Sequence, residues 1–301
     1  MFNYWGFGLR ILSEIEFPEL LSCEFSVPDV VIKYGITPET ITGIQLTKKG
    51  FFYKIDEQAL LFKVTNVANY YAFGGHTVVV EPCVEQEMRT IRLYILATVM
   101  AGILTQRKLL PFHASAIIRN EALILIAGES QAGKSTTLAG LIKRGFNIFG
   151  DDVLVLKKDE DQMVLASASY PMIKLWDDTI EKLNDDTFRD RSFRIKYDLE
   201  KFGIFFHKQF NKDQYPLKKI YIIKKKDIPD VSIKTLSGIN AFEALRSHIY
   251  RPILLQSNTM LSRSFTILTE LSKSAVILEV SRPLVCNPED LINHIEASIL
   301  Q

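Results

Sequence analysis

The sequence predicts an α/β protein with a smaller, mainly β N-terminal part and a larger C-terminal part in which strands and helices alternate. Two patterns carry this. Before Cys83 the apolar residues come in short or alternating runs broken by Gly, Pro and Asn, whereas after Phe112 strand-like runs and helical periodicities take turns. Between the two, Met88, Ile91, Leu93, Leu96, Val99, Met100 and Ile103 recur at helical spacing. The expected division is a β domain over 1–84, a linking helix over 85–110 with its periodicity starting at Glu85, and an α/β domain over 111–301.

Taken in order, the first part should hold strands near 9–15, 30–33, 51–55, 60–64 and 77–80. Pro18, Pro28 and Pro38 punctuate them, and Gly74-Gly75 marks a turn. In the second part 114–118 and 122–127 read as strands joined by Arg119-Asn120-Glu121. A helix over 136–143 ends in Lys143-Arg144-Gly145, with glycine where a left-handed cap is wanted. Strands near 147–149 and 153–157 flank Asp151 and Asp152. Further elements are a strand at 217–223, helices at 240–248 and 262–272, a strand at 275–280 and a last helix opened by Asn287-Pro288, a good cap and first-turn pair.

The 301 residues are 47% hydrophobic and 24% charged, as in ordinary folded proteins. The net charge of +1 gives no global field toward nucleic acid or an anionic membrane, so neither is an expected partner. Cys23, Cys83 and Cys286 lack zinc or disulfide spacing and suit a reducing compartment. The first residues carry Arg10, Glu14 and Glu16, unlike a signal peptide, so a cytoplasmic location is expected. The apolar stretch at 93–104 is shorter than a membrane span and reads as a buried helix.

The chemistry starts at Gly128, Glu129, Ser130, Gln131, Ala132, Gly133, Lys134 and Ser135, which fit G-x-x-x-x-G-K-[ST] between an apolar strand and a helix. Glycines let bare main-chain N–H groups approach phosphate oxygens, and the helix N-terminus that follows, from Thr136 on, favours an anion. Lys134 adds a full charge for the β and γ phosphates, and Ser135 offers a hydroxyl to Mg²⁺. The expected ligands are therefore ATP or another nucleoside triphosphate with Mg²⁺.

Asp151-Asp152 ends a short strand one helix later, where a parallel strand would return beside the first. Neighbouring residues in extended chain point to opposite sides, so the pair should divide the work. Asp151 is the expected general base, and Asp152, with Ser135, the expected metal ligand. His113 precedes the strand at 114–118; the residues leave open whether it is structural or lies at the site. Between Arg189 and Lys226 stand twelve basic and four acidic residues, a local charge of +8. Arg191, Arg194, Lys196 and Lys201 are candidates for the cation a transferred phosphoryl group needs, and Lys174 with Trp176 for an acceptor pocket.

In their order and spacing, His113-Ala114-Ser115, the phosphate loop, Lys143-Arg144-Gly145 and Asp151-Asp152 resemble the catalytic domain of HPr kinase/phosphorylase, a P-loop kinase related to phosphoenolpyruvate carboxykinase. The resemblance implies that domain type for the C-terminal part, His113 close to the transferred phosphoryl group, the Asp pair as source of the catalytic base, and a ring-forming homo-oligomer. The opening residues, the stretch before His113, and Tyr170-Pro171 with Lys174-Leu175-Trp176 resemble homologues that act on ribosomally made peptides. That subgroup implies a serine kinase whose acceptor is the C-terminal serine of a lasso-peptide precursor. An HPr-type protein serine kinase and a P-loop ATPase or regulatory module without an acceptor stand as alternatives.

Overall fold

The computed structural model describes residues 1–83 and 87–301. The expected helix start at Glu85 and the domain boundary at 84/85 lie outside the described residues. The chain divides into two compact units, Met1–Pro111 with Tyr250–Phe265, and Phe112–Ile249 with Thr266–Gln301.

The first unit is built on one sheet from β1 (Phe2–Gly6), β2 (Leu9–Ser13), β3 (Leu21–Ser22), β4 (Val30–Tyr34), β5 (Ile44–Lys48), β6 (Phe51–Ile55), β7 (Ala59–Val64), β8 (Ala68–Phe73) and β9 (Thr77–Pro82). Its order is β3-β1-β2-β4-β9-β8-β7-β6-β5, with β4 parallel to both neighbours. Two hairpins close through paired positive φ angles, Phe7-Gly8 and Gly74-Gly75, the geometry that matches strand twist. The helix over Met88–Gln106 runs as α1 (Met88–Tyr94), a π turn (Ile95–Val99) and α2 (Met100–Gln106). By length and composition this helix is apolar enough to cross a membrane, which the shorter stretch at 93–104 did not suggest. Ile91, Ile95, Val99, Met100, Ile103 and Leu104 are nevertheless fully buried, so its apolar character serves a core.

A short strand, β10 (Leu110–Phe112), spans the division between the units. The second unit then continues with β11 (Ala114–Arg119), β12 (Ala122–Gly128), α3 (Lys134–Lys143), β13 (Asn147–Gly150), β14 (Leu154–Lys158), β15 (Val164–Ala168), β16 (Met172–Trp176), α4 (Asp177–Leu183), β17 (Lys201–Phe205), β18 (Tyr215–Lys226), β19 (Ser232–Leu236) and α5 (Gly238–Arg246). After α6 (Asn258–Ser274) come β20 (Val276–Pro283) and α7 (Pro288–Leu300). β12 lies between antiparallel β11 and parallel β18, and β20 pairs parallel to β18. Every residue of β12 is buried, the signature of a strand covered on both faces.

One expectation about this sheet needs correction. β13 does not return beside β12: β11 lies between them, pairing antiparallel with each. The reason is local. Asn120 and Glu121, at φ 49° and 56°, close a two-residue turn that folds β11 back onto β12 and takes the neighbouring place. β13 therefore runs parallel to β12 one strand away.

One face of the sheet packs Ile124, Ile126, Tyr221, Ile223, Leu278 and Val280 against α3 and α7. The helices meet closely because residue 140 is glycine: a Cβ there would stand 2.3 Å from Ile292 Cδ1. Arg144, at the end of α3, adds hydrogen bonds to Glu289, Asn293 and Glu296 of α7. Elsewhere in the sheet, Lys224, Lys226 and Lys234 converge on Glu279, which is 4% exposed. Burial alone would raise its pKa, but the three ammonium partners bring the carboxyl down to about 2.

Candidate active site

The glycine-rich loop at 128–135 is shaped by its main chain. At the end of β12 Gly128 has φ +155°, and a Cβ on it would stand 2.8 Å from the carbonyl oxygen of Ile223 on β18. Any side chain there would push the loop off the strand beside it. Gln131 and Gly133 also take positive φ, 62° and 115°, before Lys134 opens α3. The loop is tied from outside by Arg282 of β20, whose guanidinium donates to the carbonyl oxygens of Ala132 at 2.9 Å and Gln131 at 3.3 Å. Lys134 folds back onto the loop and donates to the carbonyl oxygens of Gly128 at 2.8 Å and Glu129 at 3.0 Å. Burial lowers its pKa, against the opposing pull of Asp151 and Asp152. A phosphate would meet an ammonium held by dipoles alone.

Facing this loop is a polar cluster drawn from three places in the chain, the start of β11, the turn after β13, and β16. Asp151, 1% exposed, accepts from the Ser115 hydroxyl at 2.6 Å, from the Ser135 hydroxyl at 3.2 Å to each oxygen, and from the main-chain N–H of Lys174 at 3.0 Å. Its neighbour is turned away. Asp152 sits at φ 71°, a left-handed conformation for a non-glycine residue, with a cost on the order of 1 kcal/mol. That turn brings its carboxylate to Lys174 Nζ at 2.6 Å and within 3.5 Å of His113 Nδ1. Although burial alone would raise its pKa, Lys174, His113 and Lys201 hold the Asp152 carboxyl well below the usual carboxylate range.

The His113 ring is oriented by the same turn. Its Nδ1 is 2.6 Å from the carbonyl oxygen of Asp152, and since a carbonyl only accepts, Nδ1 carries the hydrogen and Nε2 is the acceptor. Burial, reinforced by the Lys134 charge, depresses the His113 pKa, against the opposing pull of the Asp152 carboxylate. Its main-chain N–H donates to the carbonyl oxygen of His248, which ties the start of β11 to the end of α5.

β16 and β17 form a separate two-stranded ribbon in which Lys174 lies opposite Gly203 and Trp176 opposite Lys201. Lys174 Nζ lies 5.5 Å from the centroid of the Tyr170 ring, and Lys201 Nζ lies 5.5 Å from that of Trp176. Lys201 also lines the cavity.

A cavity of about 670 Å³ gathers most of the residues that the sequence singled out. Ser130, Gln131, Gly133, Lys134, Ser135 and Thr136 of the loop line it, as do His113, Asp151, Asp152, Lys174 and Lys201. Gly128, Glu129 and Ala132 belong to the loop but not to the lining. Arg191, Arg194 and Lys196 are placed elsewhere: Arg191 pairs with Asp177 at 2.5 Å, Arg194 with Glu200, and Lys196 with Asp198 at 2.8 Å. Each of these three cations is thus committed to a nearby carboxylate.

Sequence reasoning missed Ser115 and Arg282. Ser115 had a signal, since two residues after His113 on a strand it points to the same side. Arg282 had none, being 150 residues from the loop it holds. Among the described residues no group of three or more His, Cys, Asp and Glu could hold a metal ion. Mg²⁺ does not require one. It is usually held by one or two protein oxygens, substrate phosphates and water, and the Ser135 hydroxyl beside the Asp151 carboxylate fits that need. The Asp152 carboxylate, expected on the metal, faces Lys174 and His113 instead.

No family model matches the sequence, and no curated protein matches it. Among solved structures the chain is similar to the Hpr(Ser) kinase/phosphatase from Coxiella burnetii, at 14% identity and a TM-score of 0.32, over 63% of this chain and 90% of that one.

Proposed function

We propose that this chain is an ATP-dependent serine kinase whose second unit is a P-loop kinase domain of the HPr kinase/phosphoenolpyruvate carboxykinase type. The γ-phosphoryl group passes to a peptide hydroxyl, with the C-terminal serine of a lasso-peptide precursor as the leading acceptor. The observation that carries the reading is the opposition, across one cavity, of a glycine-rich loop and a separately built cluster of two carboxylates, a histidine and a buried lysine.

The geometry favours dividing the carboxylates the other way from the sequence expectation. Asp151 touches the hydroxyl of Ser135, so with that residue it would hold Mg²⁺, which when bound neutralises charge on the phosphates. Asp152 is the base. The acceptor oxygen bonds to the γ phosphorus while the bond from phosphorus to the bridging oxygen breaks. ADP leaves with that electron pair, and the hydroxyl proton goes to the Asp152 carboxylate. A carboxylate this acidic is a weak base, but the transferred group passes through a loose transition state in which a positioned acceptor counts for more than a strong one. Lys134 turns from its loop carbonyls to the phosphate oxygens, and Lys201 supplies a cation from the far wall. His113 positions Asp152 through its carbonyl.

The test is mass spectrometry of candidate serine-terminated precursor peptides after incubation with ATP and Mg²⁺. One added phosphoryl group on the terminal serine is the expected result. Release of free phosphate with every candidate peptide unmodified would sink the kinase reading.

A further inference from the structure

β20 leaves the sheet at Pro283, and the chain crosses to α7 through Leu284, Val285, Cys286 and Asn287. Leu284 is 60% and Val285 94% exposed, two adjacent apolar side chains offered to solvent at one place. This loop is fastened to the phosphate loop. The Arg282 guanidinium that donates to Gln131 and Ala132 also donates to the carbonyl oxygens of Pro283 at 2.9 Å and Leu284 at 3.5 Å, so it joins the two loops. Leu291 of α7 comes as near: a Cβ on Gly133 would stand 3.3 Å from Leu291 Cδ2. Cys286, Pro288 and Leu291 form one wall of the same cavity that holds Ser135 and the carboxylates.

The walls differ in chemistry. Toward β11, β13 and the ribbon lie His113, Asp151, Asp152, Lys174 and Lys201, where the terminal phosphate is used. The wall beside α4 carries Thr179 and the Asp178–Lys182 ion pair. The wall made by β20 and α7 joins Cys286, Pro288 and Leu291 to the Arg282 guanidinium, while Trp176 lines the ribbon side. Beside the former wall, Leu284 and Val285 extend the apolar surface outward. Gly133 of the loop already lies beside Leu291 of this wall.

We infer that the loop at 283–288 is the seat of the nucleoside: Cys286, Pro288 and Leu291 take one face of the base, and Leu284 and Val285 close over its edge. The inference rests on the phosphate-loop reading and adds to it the part of the nucleotide that phosphates do not explain. Apolar cover on an aromatic ring gives affinity that inorganic polyphosphate cannot gain.

The experiment compares Mg·ATP with Mg·tripolyphosphate by calorimetry on the full chain. Wild type should bind ATP about tenfold or more tightly than tripolyphosphate. In Leu284→Ser/Val285→Ser that preference should shrink about fivefold, with tripolyphosphate affinity held within about twofold, which also shows that the loop remains folded. Cys286→Gln, which fills the seat, should act in the same direction. A wild-type protein with equal affinity for both probes, or variants that keep the full preference, would overturn the nucleoside seat while leaving the phosphate loop intact. Failure to bind either probe would overturn both readings.

Discussion

The glycine-rich loop and the carboxylate cluster face each other across one cavity, yet they are made by different means. Eight consecutive residues make the loop, and its essential features are main-chain angles and the absence of side-chain atoms. His113, Ser115, Asp151, Asp152 and Lys174 make the cluster, brought together by strand order and held by side-chain pairing. A loop of the first kind fails when its backbone is displaced. A cluster of the second kind fails one atom at a time, and the residue that fails tells what it did.

The largest effect should come from the backbone. Gly128→Ala sets a Cβ 2.8 Å from the Ile223 carbonyl oxygen, and titration should show ATP and tripolyphosphate binding lost together. Retention of either would mean that the loop tolerates displacement and that the contrast drawn above is too sharp. Next, Asp152→Asn should lower peptide phosphorylation on the order of 10² to 10⁴-fold with ATP affinity unchanged. Asp151→Asn should instead raise the Mg²⁺ concentration needed for half-maximal rate. Exchange of these two phenotypes would restore Asp151 as the base.

A pH titration separates the cluster from its support. His248, 6% exposed, has its pKa brought down to about 4, mainly by burial. The folded state keeps it neutral while the unfolded chain takes up a proton below about pH 6.5. Stability should therefore be full above that pH and fall as the pH drops toward 4, by about 3 kcal/mol in all. Urea unfolding across this window should show the slope, and His248→Phe should flatten it. The smallest effect is expected of Ser115→Ala, which removes one of three donors from a buried carboxylate and should cost about 1 to 2 kcal/mol of stability by the same assay. No loss would mean that Ser135 and Lys174 hold Asp151 unaided.

The loop was legible in the sequence because its meaning is local: glycines, a lysine and a hydroxyl at fixed offsets, between a strand and a helix. Gly74-Gly75 and Asn287-Pro288 were legible for the same reason. The cluster was legible only in its members. That Asp152 turns toward Lys174 depends on a left-handed φ at a residue that does not advertise one, and the turn at Asn120-Glu121, though read from the sequence, did not reveal that β11 would take the place beside β12. Arg191, Arg194 and Lys196 drew attention by charge, but Asp177, Glu200 and Asp198 pair with them. Nor does any local pattern signal that Tyr250–Phe265 belongs with the first unit.

At residue 140 a hydrogen atom is all that fits between two helices, one rising from the phosphate loop and the other closing the fold. Two rods pressed that near, and laced by an arginine at one end, cannot slide past each other. Gly140→Ala, far from any reacting atom, would force the Ile292 side chain aside and loosen the seat of α3, the helix that carries the loop's last residues.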